Sequence, residues 1–93
     1  MSAVDWTYGA QHMWDNHKVA TAEADEAIDD IDAVWFDPDP ASRSSRSVRV
    51  IGFSHSRRGI LTVILVRRDE GTYYGANGWE SNPSDQRRYW EAQ

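Results

Sequence analysis

Apolar residues recur at helical spacing twice in the first part of the chain. Trp6, Ala10, Met13 and Trp14 fall on one face of a short helix. Between Thr21 and Phe36 the positions Ala24, Ala27, Ile28, Ile31, Val34 and Trp35 follow an i, i+3/i+4, i+7 pattern, which predicts a second helix. Thr21 is its expected N-cap, and Glu23, Asp25 and Glu26 lie where the helix dipole favours anions. Asp37-Pro38-Asp39-Pro40 stops it, because each proline disfavours helical backbone in the residue before it. Asp29, Asp30 and Asp32 stand late in this segment, where the dipole opposes them.

The period then changes. Residues 41–47 are polar and read as a loop. Ser47–Ser54 sets Val48, Val50 and Phe53 around Arg49, a strand pattern with a bulge expected at Ile51-Gly52. His55–Gly59 is a turn. Ile60–Arg68 is apolar on both faces and is the expected central strand. Asp69-Glu70-Gly71 is a tight turn, with glycine available for positive φ. Thr72–Asn77 is a third strand, with Tyr73 and Tyr74 on opposite faces. Short turns between these strands imply an antiparallel meander. Asn82 is the expected N-cap of a last helix, with Pro83 at its first position and Asp85 as the returning acceptor. That helix carries Arg87, Arg88, Tyr89 and Trp90. The reading is an α+β fold: two N-terminal helices, a three-stranded or slightly larger antiparallel sheet, and a C-terminal helix.

Composition narrows the class. The 93 residues are read as a single domain, 1–93. With 40% hydrophobic residues and five Trp, the chain is too apolar for disorder. The absence of Cys excludes a disulfide scaffold, a thiolate metal site and a thiol nucleophile. The run Ile60–Val66 is far short of the roughly 20 residues that cross a bilayer. The N-terminus has neither a basic start nor an apolar stretch, so no signal peptide is read and a cytoplasmic location is expected. The formal net charge of −5 hides an asymmetry. Residues 1–40 hold ten acids and one base, Lys18, whereas residues 41–93 hold five acids and nine bases, all Arg. Arginine grips phosphate bidentately, so the second half points towards nucleic acid, although a GC-rich genome also yields arginine in place of lysine.

A family resemblance runs through residues 14–90. It is carried by Trp14-Asp-Asn-His17-Lys-Val19, by Glu23-Ala-Asp-Glu26-Ala27 and by Arg49-Val-Ile-Gly52-Phe-Ser54. It continues in Leu61–Arg68 and in Gly78-Trp79, closing with Asp85-Gln-Arg87-Arg88-Tyr89. In this order and spacing the pieces resemble BrnT-type toxins of bacterial toxin–antitoxin pairs. The resemblance implies a RelE-like fold, endoribonuclease activity that blocks translation, RNA as substrate, and a cognate DNA-binding antitoxin as partner. The chain departs from the family in three respects. Lys18 replaces the usual Gly after the His. Ala76-Asn77 stands where many members carry Ala-Arg. The chain is also acidic where the family is usually basic.

RNA cleavage by 2′-OH attack needs a base, an acid and a group that stabilises the phosphorane. Arg49, Arg68 and Arg87 are candidates for the charge, with His17 or Glu80 as acid or base and Tyr89 as a further catalytic candidate. His17 could equally be a cap or a buried hydrogen-bonding group, and Tyr89 could be core. Arg67, Arg88, Trp79 and Asn77 are candidate RNA contacts, Trp79 by stacking, although a Trp at this point equally serves as a hydrophobic staple against the last helix. Arg67 and Arg68 point to opposite faces of their strand, so at most one enters a concave site. Arg49 faces either solvent or that site. Arg87 and Arg88 could also form a solvated face. No His/Asp spacing suggests a metal, and neither metal nor cofactor is expected. The alternative is a non-catalytic relative that binds a protein, with the acidic segment Glu23–Asp39 as one contact.

Overall fold

The computed structural model describes residues 4–68 and 71–93. Its elements run β1 (Val4–Asp5), α1 (Ala10–His17), α2 (Thr21–Asp29), β2 (Val34–Phe36), β3 (Ser47–Ser54), β4 (Gly59–Arg67), β5 (Tyr73–Glu80) and α3 (Pro83–Glu91). The strands form one sheet in the order β1-β5-β4-β3-β2. The meander β3-β4-β5 is antiparallel and β4 is central, as the apolar run over 60–68 requires. The architecture is α+β with a five-stranded mixed sheet, larger than the expected meander: β1 lies parallel to β5, and β2 antiparallel to β3.

Strand alternation gives the sheet two covered faces. Val48, Val50, Leu61, Val63 and Leu65 turn to one face, where they pack with Met13 of α1 and Val19, Ala24 and Ala27, all fully buried. Gly52 permits the closeness of α2, because a Cβ there would stand 1.9 Å from the Ala27 carbonyl oxygen. That is the work of this glycine. No bulge occurs at Ile51-Gly52, since both keep register with Thr62 and Leu61. The irregularity lies instead between β4 and β5, where Ile64 faces Asn77 and Leu65 faces Gly75, leaving Ala76 unopposed. The other face presents Arg49, Ile51 and Thr62, and α3 packs over it through Asp85 and Tyr89.

The second helix is shorter than the periodicity predicts. It ends at Asp29, and Val34–Phe36 is a strand. Asp30 leaves helical backbone at φ −57°, ψ 125°. Its carboxylate then accepts from the Phe53 amide (2.8 Å) and the Tyr89 hydroxyl (2.6 Å), tying the helix end to β3 and α3. Three acids at a helix C-terminus and a β-branched, aromatic run beyond them both favour this outcome. The N-cap is Ala20 rather than Thr21. Glu23 reaches back to the Ala20 amide at 2.9 Å, giving half of a capping box. The last helix starts as expected: the Asn82 side chain accepts from the Asp85 amide at 2.8 Å, with Pro83 first. Asp85 does not return the bond, because its carboxylate is directed into the sheet. The turn expected at Asp69-Glu70 lies outside the described residues. No helix among the described residues is long and apolar enough to cross a membrane.

Candidate functional site

The end of α1, the β3–β4 turn and the end of β5 converge on one cleft. α1 stops after His17 because Lys18 adopts a left-handed conformation, φ 54°, from which its amide bonds the Trp14 carbonyl. This leaves the imidazole exposed, 5.6 Å from the ring of Trp79 at a tilt of 47°. The turn after β3 is held by Glu26 of α2. Its carboxylate accepts from the Ser54 hydroxyl, the Ser56 amide (both 2.8 Å) and the Ser56 hydroxyl (2.6 Å). The two bonds from Ser56 come first, and with Ser54 they lower Glu26 from the ordinary 4.5 to about 2. With the turn so fixed, Arg57 reaches the Lys18 carbonyl (2.7 Å), Glu23 and Glu80 (3.1 Å each). Glu80 keeps 70% of its side chain exposed. Asn16, His17, Arg57, Trp79 and Glu80 thus line an open cleft of about 610 Å³. It offers an aromatic platform, a guanidinium, and an imidazole and a carboxylate, the two groups suited to proton transfer.

Arg49, Arg88 and Tyr89 are brought together elsewhere, beneath and beside α3. Asp85 is fully buried. It accepts from Arg49 (2.7 Å), Arg88 (2.6 Å) and Thr62 (2.8 Å), while Thr62 shares a further bond with Ser81. The Arg49 Nε donates to Asp39 at 3.1 Å. Burial works to raise Asp85, but the Thr62 hydroxyl and the two guanidiniums outweigh it and hold the carboxyl below the ordinary carboxylate range. Arg49 is likewise opposed by burial, yet Asp39 and Asp85 keep it firmly charged. Tyr89 is 4% exposed. Burial, and then the bond it donates to Asp30, push its hydroxyl above the ordinary value. Both Arg49 and Tyr89 are therefore directed at carboxylates of the protein itself.

The remaining predicted residues are dispersed. Arg67 and Arg68 lie at the opposite end of β4 from the His17 cleft. There Ser44, Arg46, Ser47, Val66, Thr72 and Tyr74 help them line a groove of about 750 Å³. Arg67 pairs with Asp37, and Arg68 pairs with Asp5 at 3.1 Å while its guanidinium lies 4.4 Å from the Tyr74 ring centre. Asn77, beside the β4–β5 irregularity, accepts from the Gly78 amide. Arg87 is exposed on α3 and makes no ion pair among the described residues.

The ten candidates therefore fall in several places. His17, Trp79 and Glu80 share one cleft, and Arg67 and Arg68 line one groove despite the expectation that at most one would enter a concave site. Arg49, Arg88 and Tyr89 meet at α3, and Asn77 and Arg87 stand apart. Arg57 belongs to the His17 cleft too, although the sequence marks it only as part of the basic turn His55-Ser56-Arg57-Arg58, which could touch RNA or nothing. Its signal was a basic turn between two strands, but spacing along the chain cannot show that this turn abuts the end of α1. Among the described residues, no three or more His, Asp or Glu side chains are grouped to hold a metal ion. Compared with known proteins, the chain matches no protein-family model and no curated protein.

Proposed function

We propose that the protein is the toxin of a bacterial toxin–antitoxin pair, a BrnT-like member of the RelE-like ribonucleases that cleaves RNA without a metal and is neutralised by a DNA-binding antitoxin. One observation supports this reading beyond the sequence resemblance: His17, Arg57, Trp79 and Glu80 share the cleft at the end of β5. In this reading a nucleobase stacks on Trp79, which brings the adjoining phosphate to the imidazole and guanidinium. One of His17 and Glu80 takes the 2′-OH proton as that oxygen attacks phosphorus. The other protonates the departing 5′-oxygen, leaving a 2′,3′-cyclic phosphate. Arg57 faces the charge that develops on the phosphorane, its own two carboxylate contacts holding it in place.

The test is cleavage of a mixed-sequence RNA by the purified chain in the presence of a chelator. Cleavage with cyclic-phosphate ends, reduced about 100-fold or more in His17→Ala and in Glu80→Gln, is the expected result for proton-transfer groups. Cleavage that both variants retain would move the chemistry out of this cleft.

A second reading, a non-catalytic relative that binds protein, is favoured by the engagement of Arg49 and Tyr89 with Asp39, Asp85 and Asp30. Well-folded wild-type chain that cleaves no RNA, and does not arrest growth when expressed, is the outcome that selects it.

A further inference from the structure

Two large exposed apolar side chains, Ile31 and Trp35, stand out at one edge of the molecule. Ile31 is 96% exposed and Trp35 42%, one part of the Trp35 ring packing on Tyr73 with ring centres 5.7 Å apart. Ile31, Asp32, Ala33, Val34 and Trp35 line a groove of about 430 Å³ with Ala92 and Gln93 from the end of α3. Gln93 bonds the Asp32 carbonyl, which ties the end of α3 to this groove. Exposed apolar residues are ordinary when scattered, but a cluster marks a contact surface.

We infer that this edge binds an extended, basic segment of a partner protein, which adds to the sheet as a strand beside β2. The backbone sets the shape of the occupant. β2 is an edge strand paired with β3 alone, and its other side meets no strand among the described residues. Such an edge presents backbone donors and acceptors to another extended chain. Charge sets its sign. Residues 28–40 hold five Asp and no Lys or Arg. Asp30 and Asp39 are turned inward to Tyr89 and Arg49, and Asp37 is paired with Arg67. Asp29, Asp32 and Glu91 form no ion pair among the described residues and are exposed. On an added strand alternate residues face opposite ways. Apolar residues of such a strand would meet Ile31 and the exposed part of Trp35, and basic ones the exposed acids Asp29, Asp32 and Glu91. A second copy is the weaker fit, because a twofold contact would set this acidic edge against itself.

The inference stands without the ribonuclease reading, and its test separates the two. A synthetic peptide alternating Lys with Val is titrated into the full chain, with a Glu–Val peptide as control. The expected result is binding of the basic peptide alone, with new hydrogen-exchange protection at the amides of Val34–Phe36. Affinity should fall about tenfold in Ile31→Ala and in the double variant Asp29→Asn/Asp32→Asn. Among the described residues the carboxylates of Asp29 and Asp32 have no partner, so the double variant tests charge without disturbing the fold. RNA cleavage, read in parallel, should not change in either variant. Four results overturn the inference: no binding, equal binding of the acidic peptide, protection located elsewhere, or self-association of the chain that Ile31→Ala dissolves.

Discussion

Lys18 takes a conformation that side chains resist. Its φ of 54° closes α1, the role glycine fills without strain. The Lys here carries the penalty of that conformation. Lys18→Gly should stabilise the protein by about 0.5–1 kcal/mol. That allows for glycine's freedom in the unfolded chain and for the lost contact of the Lys18 ammonium with Trp14. Urea unfolding checks it. Gly52 makes the opposite case. A methyl group there meets the Ala27 carbonyl, and Gly52→Ala should cost about 3 kcal/mol or more by forcing α2 off the sheet. Glu26 governs an acid-sensitive contact. Its folded pKa of about 2 lies below the ordinary 4.5, so its contribution is complete above that ordinary value and is lost as pH falls towards 2. Thermal unfolding from pH 5 to pH 2 should therefore decline less steeply in Glu26→Gln than in the wild type. At this scale the sequence was partly legible. Asn82-Pro83 could be read as a helix start because capping is local. The destination of Arg49 could not, because its partners lie 10 and 36 residues away.

Among the elements, α3 depends most on buried charge. Asp85 gathers Arg49, Arg88 and Thr62, and no described polar side chain is buried without a partner. Removing the carboxylate leaves Arg49 half-buried with Asp39 alone. Asp85→Ala should destabilise by about 3–5 kcal/mol, and Asp85→Asn by less, since the amide still accepts from Thr62. Losses of activity in Arg49 variants must accordingly be read against stability measured on the same protein. The extent of α2 shows how periodicity misleads. Ile31, Val34 and Trp35 continue the helical spacing, yet they sit on a bend and an edge strand. An amphipathic period over four or five residues does not distinguish a helix from a short strand that follows a turn. The deciding interaction, Asp30 with Phe53 and Tyr89, joins three elements and leaves no local mark. The meander was legible for the converse reason: its turns are short and its central strand is apolar throughout.

For the molecule as a whole, the division between an acidic first part and an arginine-rich second part becomes a set of contacts. Arg57 meets Glu23, Arg67 meets Asp37, Arg68 meets Asp5, and Arg49 meets Asp39. Four of the nine arginines thus bind acids from residues 1–40, and the charge that suggested nucleic acid is partly used within the fold. Of the site, His17, Trp79 and Glu80 were legible by residue type, whereas Asn16 and Arg57 were not. The grouping was not legible either, because it depends on which strand ends the topology places at one end of the sheet.

The pairing of β1 with β5 also imposes an order on the making of the molecule. Val4 and Asp5 lie beside Tyr73 and Tyr74, and the Trp6 ring covers Gly75 while its indole N–H bonds Asp25. The meander closes through neighbours in sequence, whereas this strand must wait for a segment nearly seventy residues downstream. Loop-closure entropy makes such a contact late. A chain still leaving the ribosome holds Trp6 without its seat until β5 emerges. The same seam is the natural first place to open again, detaching the leading strand while β3, β4 and β5 remain paired.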